Sequence, residues 1–233
     1  MVQIQGGTAV VAGATGLVGQ ELVRMLLEHP SYSRVIALVR RELGFSHPKL
    51  EERRISFDRL EEEIDEQLLR DADVFCALGT TIKQAGSKED FRRVDYAYPL
   101  ALGRAARRYG AACFVIVSAM SSSERSMMFY SRVKGEVERD LAALGLQRLV
   151  VLRPSLLLGD RTESRPGERL AIVLSRPLGA LMIGPLVKYR AIDSRDVACA
   201  MIAAARNEGP AHEVLESNEI SSLAAAVRRK RPV

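Results

Sequence analysis

Thr8-Ala-Val-Val-Ala-Gly13-Ala-Thr15-Gly16-Leu17-Val18-Gly19-Gln20 is the stretch on which the rest of the chain turns. An apolar, β-branched run stops at Gly13, two further glycines follow at intervals of three, and an amphipathic pattern starts at once. That order predicts strand, tight turn, helix. It suits a dinucleotide, because the first glycine permits the turn and the second lets the backbone approach a pyrophosphate. The third lets helix and strand pack closely, while the N–H groups around Thr15, Leu17 and Val18 face the anion. The spacing is G-x-x-G-x-x-G, and glycines also mark ordinary turns. The strand before and the helix after make nucleotide binding the better reading.

Working outward, Leu22, Val23, Leu26 and Leu27 continue the helix until Pro30 closes it. Val35 to Val39 reads as a second strand, and Arg40 and Arg41 follow where an NAD enzyme tends to carry an acid, about 20 residues beyond the glycines. A carboxylate there would bond the ribose hydroxyls, whereas a guanidinium pairs with a 2′-phosphate. The pair favours NADP(H) over NAD(H); two solvent-facing arginines at a strand end are the plainer alternative. Arg54 to Phe57 is expected as a third strand, with Asp58 at its end placed to meet the adenine. A polar helix is expected from Leu60 to Arg70, and a fourth strand from Val74 to Leu78. Gly79, Thr80 and Thr81 after it are suited to lining a cofactor, although they would also make a plain loop.

A helix from about Lys88 to Tyr109, a fifth strand at Phe114 to Val117, a helix at Met128 to Leu144 and a sixth strand at Leu149 to Leu152 complete the alternation. Alternating strands and helices predict an α/β protein: a Rossmann-like, doubly wound parallel sheet with helices on both faces. From Gly159 the pattern loosens. Residues from about 155 to 190 are expected to form a small substrate-covering segment within a single domain, with Arg161 and Arg165 available to an anionic group or to local ion pairs. A strand at Tyr189 to Ile192, a helix from Ser194 to Asn207 capped by Asp193-Ser194, a strand at His212 to Leu215 and a helix at Glu219 to Arg228 end the chain.

Composition narrows the function classes. The 233 residues are 47% hydrophobic and 27% charged, in line with a globular protein. No apolar run approaches the ~20 residues that span a bilayer. The net charge of +5 gathers in Arg228-Arg229-Lys230-Arg231, read as a solvated tail rather than a nucleic-acid arm. Without Trp, and with scattered Tyr and Phe, there is no base-stacking pattern. Cys76, Cys113 and Cys199 sit in apolar runs, and His29, His47 and His212 are scattered, so no metal site is expected. Buried reduced thiols and a start without a signal-peptide layout suggest a cytoplasmic protein.

Tyr130-Ser-Arg-Val-Lys134 sets a phenol and an ammonium on one helix face. A phenol with its free pKa near ~10 exchanges protons poorly at neutral pH. A neighbouring ammonium stabilises the phenolate, as general acid–base work on a carbonyl/alcohol pair requires. A serine just upstream, Ser118 or one of Ser121 to Ser123, can orient the same oxygen. Position after the fifth strand favours chemistry over an exposed surface tyrosine.

Together, G-A-T-G-L-V-G at 13–19, C-A-L-G-T-T at 76–81, Y-S-R-V-K-G-E-V-E at 130–138 and R-P-S-L-L-L-G-D-R-T-E-S-R-P-G-E at 153–168 resemble an atypical short-chain dehydrogenase/reductase. The set is similar to the Tat-interacting-protein (oxidoreductase) subfamily and its bacterial relatives, over about residues 7 to 205. The resemblance implies an NADPH-binding Rossmann fold, with Tyr130 and Lys134 in the catalytic positions. It matches Gly13, Gly16 and Gly19 to the phosphate loop, Arg40 to the 2′-phosphate position, and Pro154 to the cofactor side of the sixth strand. Two departures stand out: Ala119 follows Ser118 where ordinary members have a Ser-Ser pair, leaving Ser118 or Ser121 as the catalytic serine. Asp95 stands where extended members carry an asparagine. The expected function is hydride transfer to an unidentified small carbonyl substrate with Tyr130 as general acid. An NADPH sensor without turnover and a nucleotide-sugar epimerase-like enzyme are the alternatives, and a homodimer stays open.

Overall fold

A computed structural model describes residues 6–158 and 189–230. The expected covering segment, with Arg161 and Arg165, lies outside the described residues except at its two ends, as does Arg231. Strands β1 (Gly7–Ala12), β2 (Tyr32–Val39), β3 (Leu50–Arg54), β4 (Asp73–Cys76), β5 (Cys113–Val117), β6 (Leu149–Arg153) and β9 (His212–Glu216) form one sheet. Its order is β3-β2-β1-β4-β5-β6-β9, with every neighbouring pair parallel. The Rossmann-like expectation is therefore met. Parallel neighbours need crossovers, and the helices between strands supply them on both faces.

Strand alternation divides the core in two. Ala9, Val11, Val115, Val117, Val150 and Leu152 point to a layer holding α1 (Leu17–Glu28) and α8 (Ser194–Arg206), with α9 (Ser217–Lys230) packed on α8. Val10, Ala12, Phe114, Ile116 and Val151 point the other way. They meet α2 (Leu60–Glu63), α3 (Glu66–Leu69), α6 (Tyr98–Arg108) and α7 (Phe129–Ala143). Strands buried on both faces read as continuous apolar runs, which is how they are spelled here. No helix among the described residues is long and apolar enough to cross a membrane.

Four elements differ from the sequence expectation. The third strand is Leu50–Arg54, not Arg54 to Phe57, whose last residue opens a 3-10 turn at Phe57–Arg59. As an edge strand it is held by one neighbour and by the Arg34–Glu51 ion pair at 2.5 Å, so it needs no apolar run. The polar helix at Leu60 to Arg70 is two short pieces, because the Asp65 carboxylate accepts the Leu68 N–H at 3.1 Å and starts a new helix. The strand expected at Tyr189 to Ile192 contracts to β8 (Ile192–Asp193), which pairs with β7 (Leu157–Leu158) outside the main sheet.

The fourth difference is the helix from Lys88. It runs as α5 (Lys88–Arg92), a π-helical turn (Arg93–Ala97) and then α6. Pro99 explains the widened turn. It has no N–H to give the carbonyl of residue 95, and its ring crowds that carbonyl in an α-helix. The bulge falls on Asp95, and such bulges collect at functional sites.

Candidate functional site

The sheet order reverses between β1 and β4, and ligands of open parallel sheets gather at that crevice, beyond the strands' carboxyl ends. Gly13 closes β1 at φ +89°, and a Cβ there would lie 2.5 Å from the Ala77 carbonyl oxygen. A Cβ on Gly19 would lie 2.0 Å from the Gly13 carbonyl oxygen, so α1 reaches the strand only because residue 19 is bare. Gly16 caps α1 without a side-chain bond, and the first turn contains no acid. The N–H groups of Leu17, Val18 and Gly19 therefore start the helix with no side chain over them. Thr15 is exposed, and its carbonyl accepts from the Gln20 amide at 3.0 Å. A bare turn, a close helix and free donors fit the pyrophosphate of a dinucleotide.

Arg40 and Arg41 are exposed just past β2. Arg40 lies within electrostatic reach of Tyr98, whose hydroxyl donates to Asp58 at 2.8 Å. Burial and then the Asp58 carboxylate push the Tyr98 phenol up, so it remains a donor to Asp58. Arg40 and Asp58 thus share one neighbourhood at the outer end of the crevice.

At the inner end, α7 carries Tyr130 and Lys134 one turn apart. The Tyr130 ring is 37% exposed and packs against the fully buried Phe91 of α5, centroids 5.6 Å apart. Lys134 is buried, and its Nζ lies 2.8 Å from Oδ1 of Asp95, itself 1% exposed. Opposite charge at this short range holds the pair. The other carboxylate oxygen takes the Thr80 N–H at 2.9 Å. Gly79 lies over both groups: a Cβ there would be 3.5 Å from Asp95 Oδ1 and 4.0 Å from Lys134 Nζ. Thr81 caps α4 (Ile82–Ala85) by accepting the Gln84 N–H at 3.1 Å. Burial opposes the Lys134 ammonium, yet the Asp95 charge and then Tyr130 outweigh it and raise the lysine above its ordinary pKa.

The serines separate. Ser118 is 5% exposed; its hydroxyl donates to Glu138 and lies 3.1 Å from the Ser122 hydroxyl. Glu138 forms a forked pair with Arg153, at 2.6 Å and 3.1 Å, and Arg153 continues to Glu216 at 3.2 Å. Ser118 is thus engaged inside the protein, while Ser121 is exposed at φ +63° on the loop before α7. The buried Pro154 carbonyl accepts the Met120 N–H at 3.0 Å, tying this loop to the end of β6. Sequence reasoning singled out Tyr130 and Lys134 but gave no part to Glu138, Arg153 or Phe91, and treated Asp95 only as a departure. Glu138 was visible one turn beyond Lys134 on the same face, and Arg153 as a charge ending an apolar strand. Phe91 carried no signal.

Comparison with known proteins agrees with this fold. The sequence model of the NAD dependent epimerase/dehydratase family matches residues 9–216. Protein FMP52, mitochondrial, of Eremothecium gossypii is 33% identical over 218 residues, 92% of this chain and 96% of that protein. Protein HTATIP2 of Rattus norvegicus is 36% identical over 172 residues, 72% of this chain and 70% of its own. Among solved structures, MoeE5 in complex with UDP-glucuronic acid and NAD shares the fold at a TM-score of 0.66 and 21% identity, over 97% of this chain and 84% of its own. The cytoplasmic expectation is corrected by the fungal relatives, which are named as mitochondrial proteins. Cysteines packed in a core as small apolar groups do not say which compartment holds a protein. The chain belongs to the NAD dependent epimerase/dehydratase family, as an atypical short-chain dehydrogenase/reductase similar to the Tat-interacting-protein subfamily.

Proposed function

We propose that this chain is an NADP(H)-dependent oxidoreductase that reduces a small carbonyl compound, with Tyr130 as the proton donor. The observation that carries this reading is the buried Lys134–Asp95 pair one helical turn from the half-exposed Tyr130, at the carboxyl edge of the sheet. When bound, the dinucleotide supplies the hydride. Gly13, Gly16 and the start of α1 would hold its pyrophosphate, and Arg40 with Arg41 its 2′-phosphate. Lys134 would hold the nicotinamide ribose and stabilise the phenolate left when Tyr130 gives up its proton. Ser121, free of the Glu138 network, is the serine available to the carbonyl oxygen.

A sensor that binds NADPH without turnover is favoured by a different observation, the engagement of Ser118 with Glu138, which withdraws the expected polarising hydroxyl. An epimerase-like reaction draws support from the family match and from structural neighbours that hold UDP-sugars with NAD. The experiment is NADPH affinity by fluorescence beside NADPH oxidation over a panel of carbonyls, for wild type and Tyr130→Phe. The phenylalanine keeps the ring against Phe91, so affinity should barely change while turnover falls by ~10²–10⁴. Tight NADPH binding with no carbonyl turned over supports the sensor. Wild-type turnover in Tyr130→Phe refutes the role given to Tyr130.

A further inference from the structure

Asp95 lies buried on the floor of the candidate site, with Lys134 Nζ facing its carboxylate at 2.8 Å. Three elements bring ionisable groups toward Lys134: Asp95 from the π-helical turn, Cys76 from β4 and Tyr130 from its own helix. Burial holds the Cys76 thiol up at about 11, so it is neutral. The Thr80 N–H adds a donor to Asp95, and Gly79 leaves no side chain between the pair and the crevice. The group thus pairs one acidic and one basic side chain in ion-pair contact, beside a neutral thiol and the Tyr130 hydroxyl.

We propose that Asp95 is a positioning residue that holds Lys134 as an ammonium and cancels its charge, so that Tyr130 keeps its proton and stands ready to donate it. The role rests on the oxidoreductase reading above. In that reaction the phenol O–H breaks, its proton passes to the carbonyl oxygen, and the carbon takes hydride from bound NADPH, which leaves as NADP⁺. A lone buried ammonium beside the phenol would drive a proton off the pair before it was needed. Asp95 therefore biases the site toward donation, the direction of reduction.

Asp95→Asn tests this, because it keeps the shape and the acceptor for Thr80 while removing the charge. The variant has an uncompensated positive charge in a dry site and sheds one proton at lower pH, from Lys134 or Tyr130 as a coupled pair. In either case the folded variant binds one proton fewer than its unfolded chain, from that lowered value up to the ordinary lysine and tyrosine range near ~10. Its stability then rises with pH across that window. In wild type, Lys134 is raised, so its contribution is complete below the ordinary lysine value and is lost only as pH climbs through the folded one. The stability gap between the two proteins, from denaturant unfolding at pH 7 to 9.5, should therefore close by up to about tenfold in equilibrium constant per pH unit. The double variant Asp95→Asn/Lys134→Met removes the lysine charge as well, and its gap to wild type should lose that slope. The alkaline limb of carbonyl reduction should move down by about one pH unit or more in Asp95→Asn, while it stays put for a residue that only packs. A flat stability gap in Asp95→Asn overturns the proposal. A closing gap beside the absence of any carbonyl turnover overturns the oxidoreductase reading instead.

Discussion

Arg40 stands past the end of β2 with its guanidinium exposed, in no ion pair among the described residues. An unengaged guanidinium is free to fork onto a 2′-phosphate, where a carboxylate would repel it. NADPH should therefore bind at least ~10-fold tighter than NADH, about 1.4 kcal/mol for one charge-assisted contact. Arg40→Ala should erase most of that preference and leave NADH affinity alone. Titrating both cofactors against both proteins checks it, and equal affinities in wild type would remove the case for NADP(H). At this scale the sequence was readable where a spacing sets two side chains one helical turn apart, as for Tyr130 and Lys134. It was silent where a partner comes from elsewhere in the chain. Asp95 reaches Lys134 across 39 positions and Arg153 reaches Glu138 across 15, so only folding brings them together. Ser118 shows the same limit, since a serine at the right distance from Tyr130 in sequence is turned to Glu138 in space.

At the scale of elements, α1 is fixed by contact rather than by a cap. Its N-terminus has no side-chain bond, and its position depends on residue 19 having no Cβ. Gly19→Ala would set a carbon 2.0 Å from the Gly13 carbonyl oxygen, and both atoms sit on backbone that cannot step aside separately. The helix must tilt off β1, at a cost of about 3 kcal/mol, the upper end of ordinary overpacking. Because the same turn presents the N–H donors, NADPH affinity should fall along with stability. Denaturant unfolding and NADPH titration of the variant measure both, and a loss of one without the other would separate helix packing from the phosphate site. The strand–turn–helix unit was legible because apolar runs and glycines are local signals. The β3 boundaries were not, since an edge strand draws on one neighbour and spells Leu-Glu-Glu-Arg-Arg. The π-helical turn was half legible: Pro99 stood in the sequence, but its effect is exerted on the carbonyl of residue 95, four positions back.

Across the whole molecule the two edges of the sheet carry different groups. The carboxyl edge holds the glycine turn, Asp95, Lys134 and Tyr130. The amino edge holds a buried polar knot at the starts of β2 and β4 and the end of α8. There the Tyr32 hydroxyl donates to Asp73 at 2.6 Å, and Arg206 approaches the same carboxylate at 3.5 Å while lying over the Tyr32 ring. Burial raises the Asp73 carboxyl despite both partners, and burial with the Asp73 charge pushes the Tyr32 phenol far up, so the phenol is always the donor. Tyr32→Phe keeps the ring and removes that donor, leaving a carboxylate 4% exposed with Arg206 at 3.5 Å and the charge of Arg148 as its remaining support. The loss at neutral pH should be about 2 kcal/mol, that of a hydrogen bond to a buried charged group. The sign with pH follows from Asp73. Its folded pKa lies above its unfolded one, so the folded state binds the extra proton, and burial of the charge weighs against folding once pH exceeds the folded value. Tyr32→Phe raises that folded value further by withdrawing a bond to the charged form. The deficit of the variant should therefore be full at pH 7 and shrink as pH falls through the Asp73 titration, where a protonated carboxyl no longer needs the donor. Denaturant unfolding at pH 7 and at mildly acid pH measures it, with NADPH affinity at pH 7 as the control for the distant edge. A deficit independent of pH would mean that Tyr32 acts through ring packing alone, and a fall in NADPH affinity would mean that the two edges are coupled through β4.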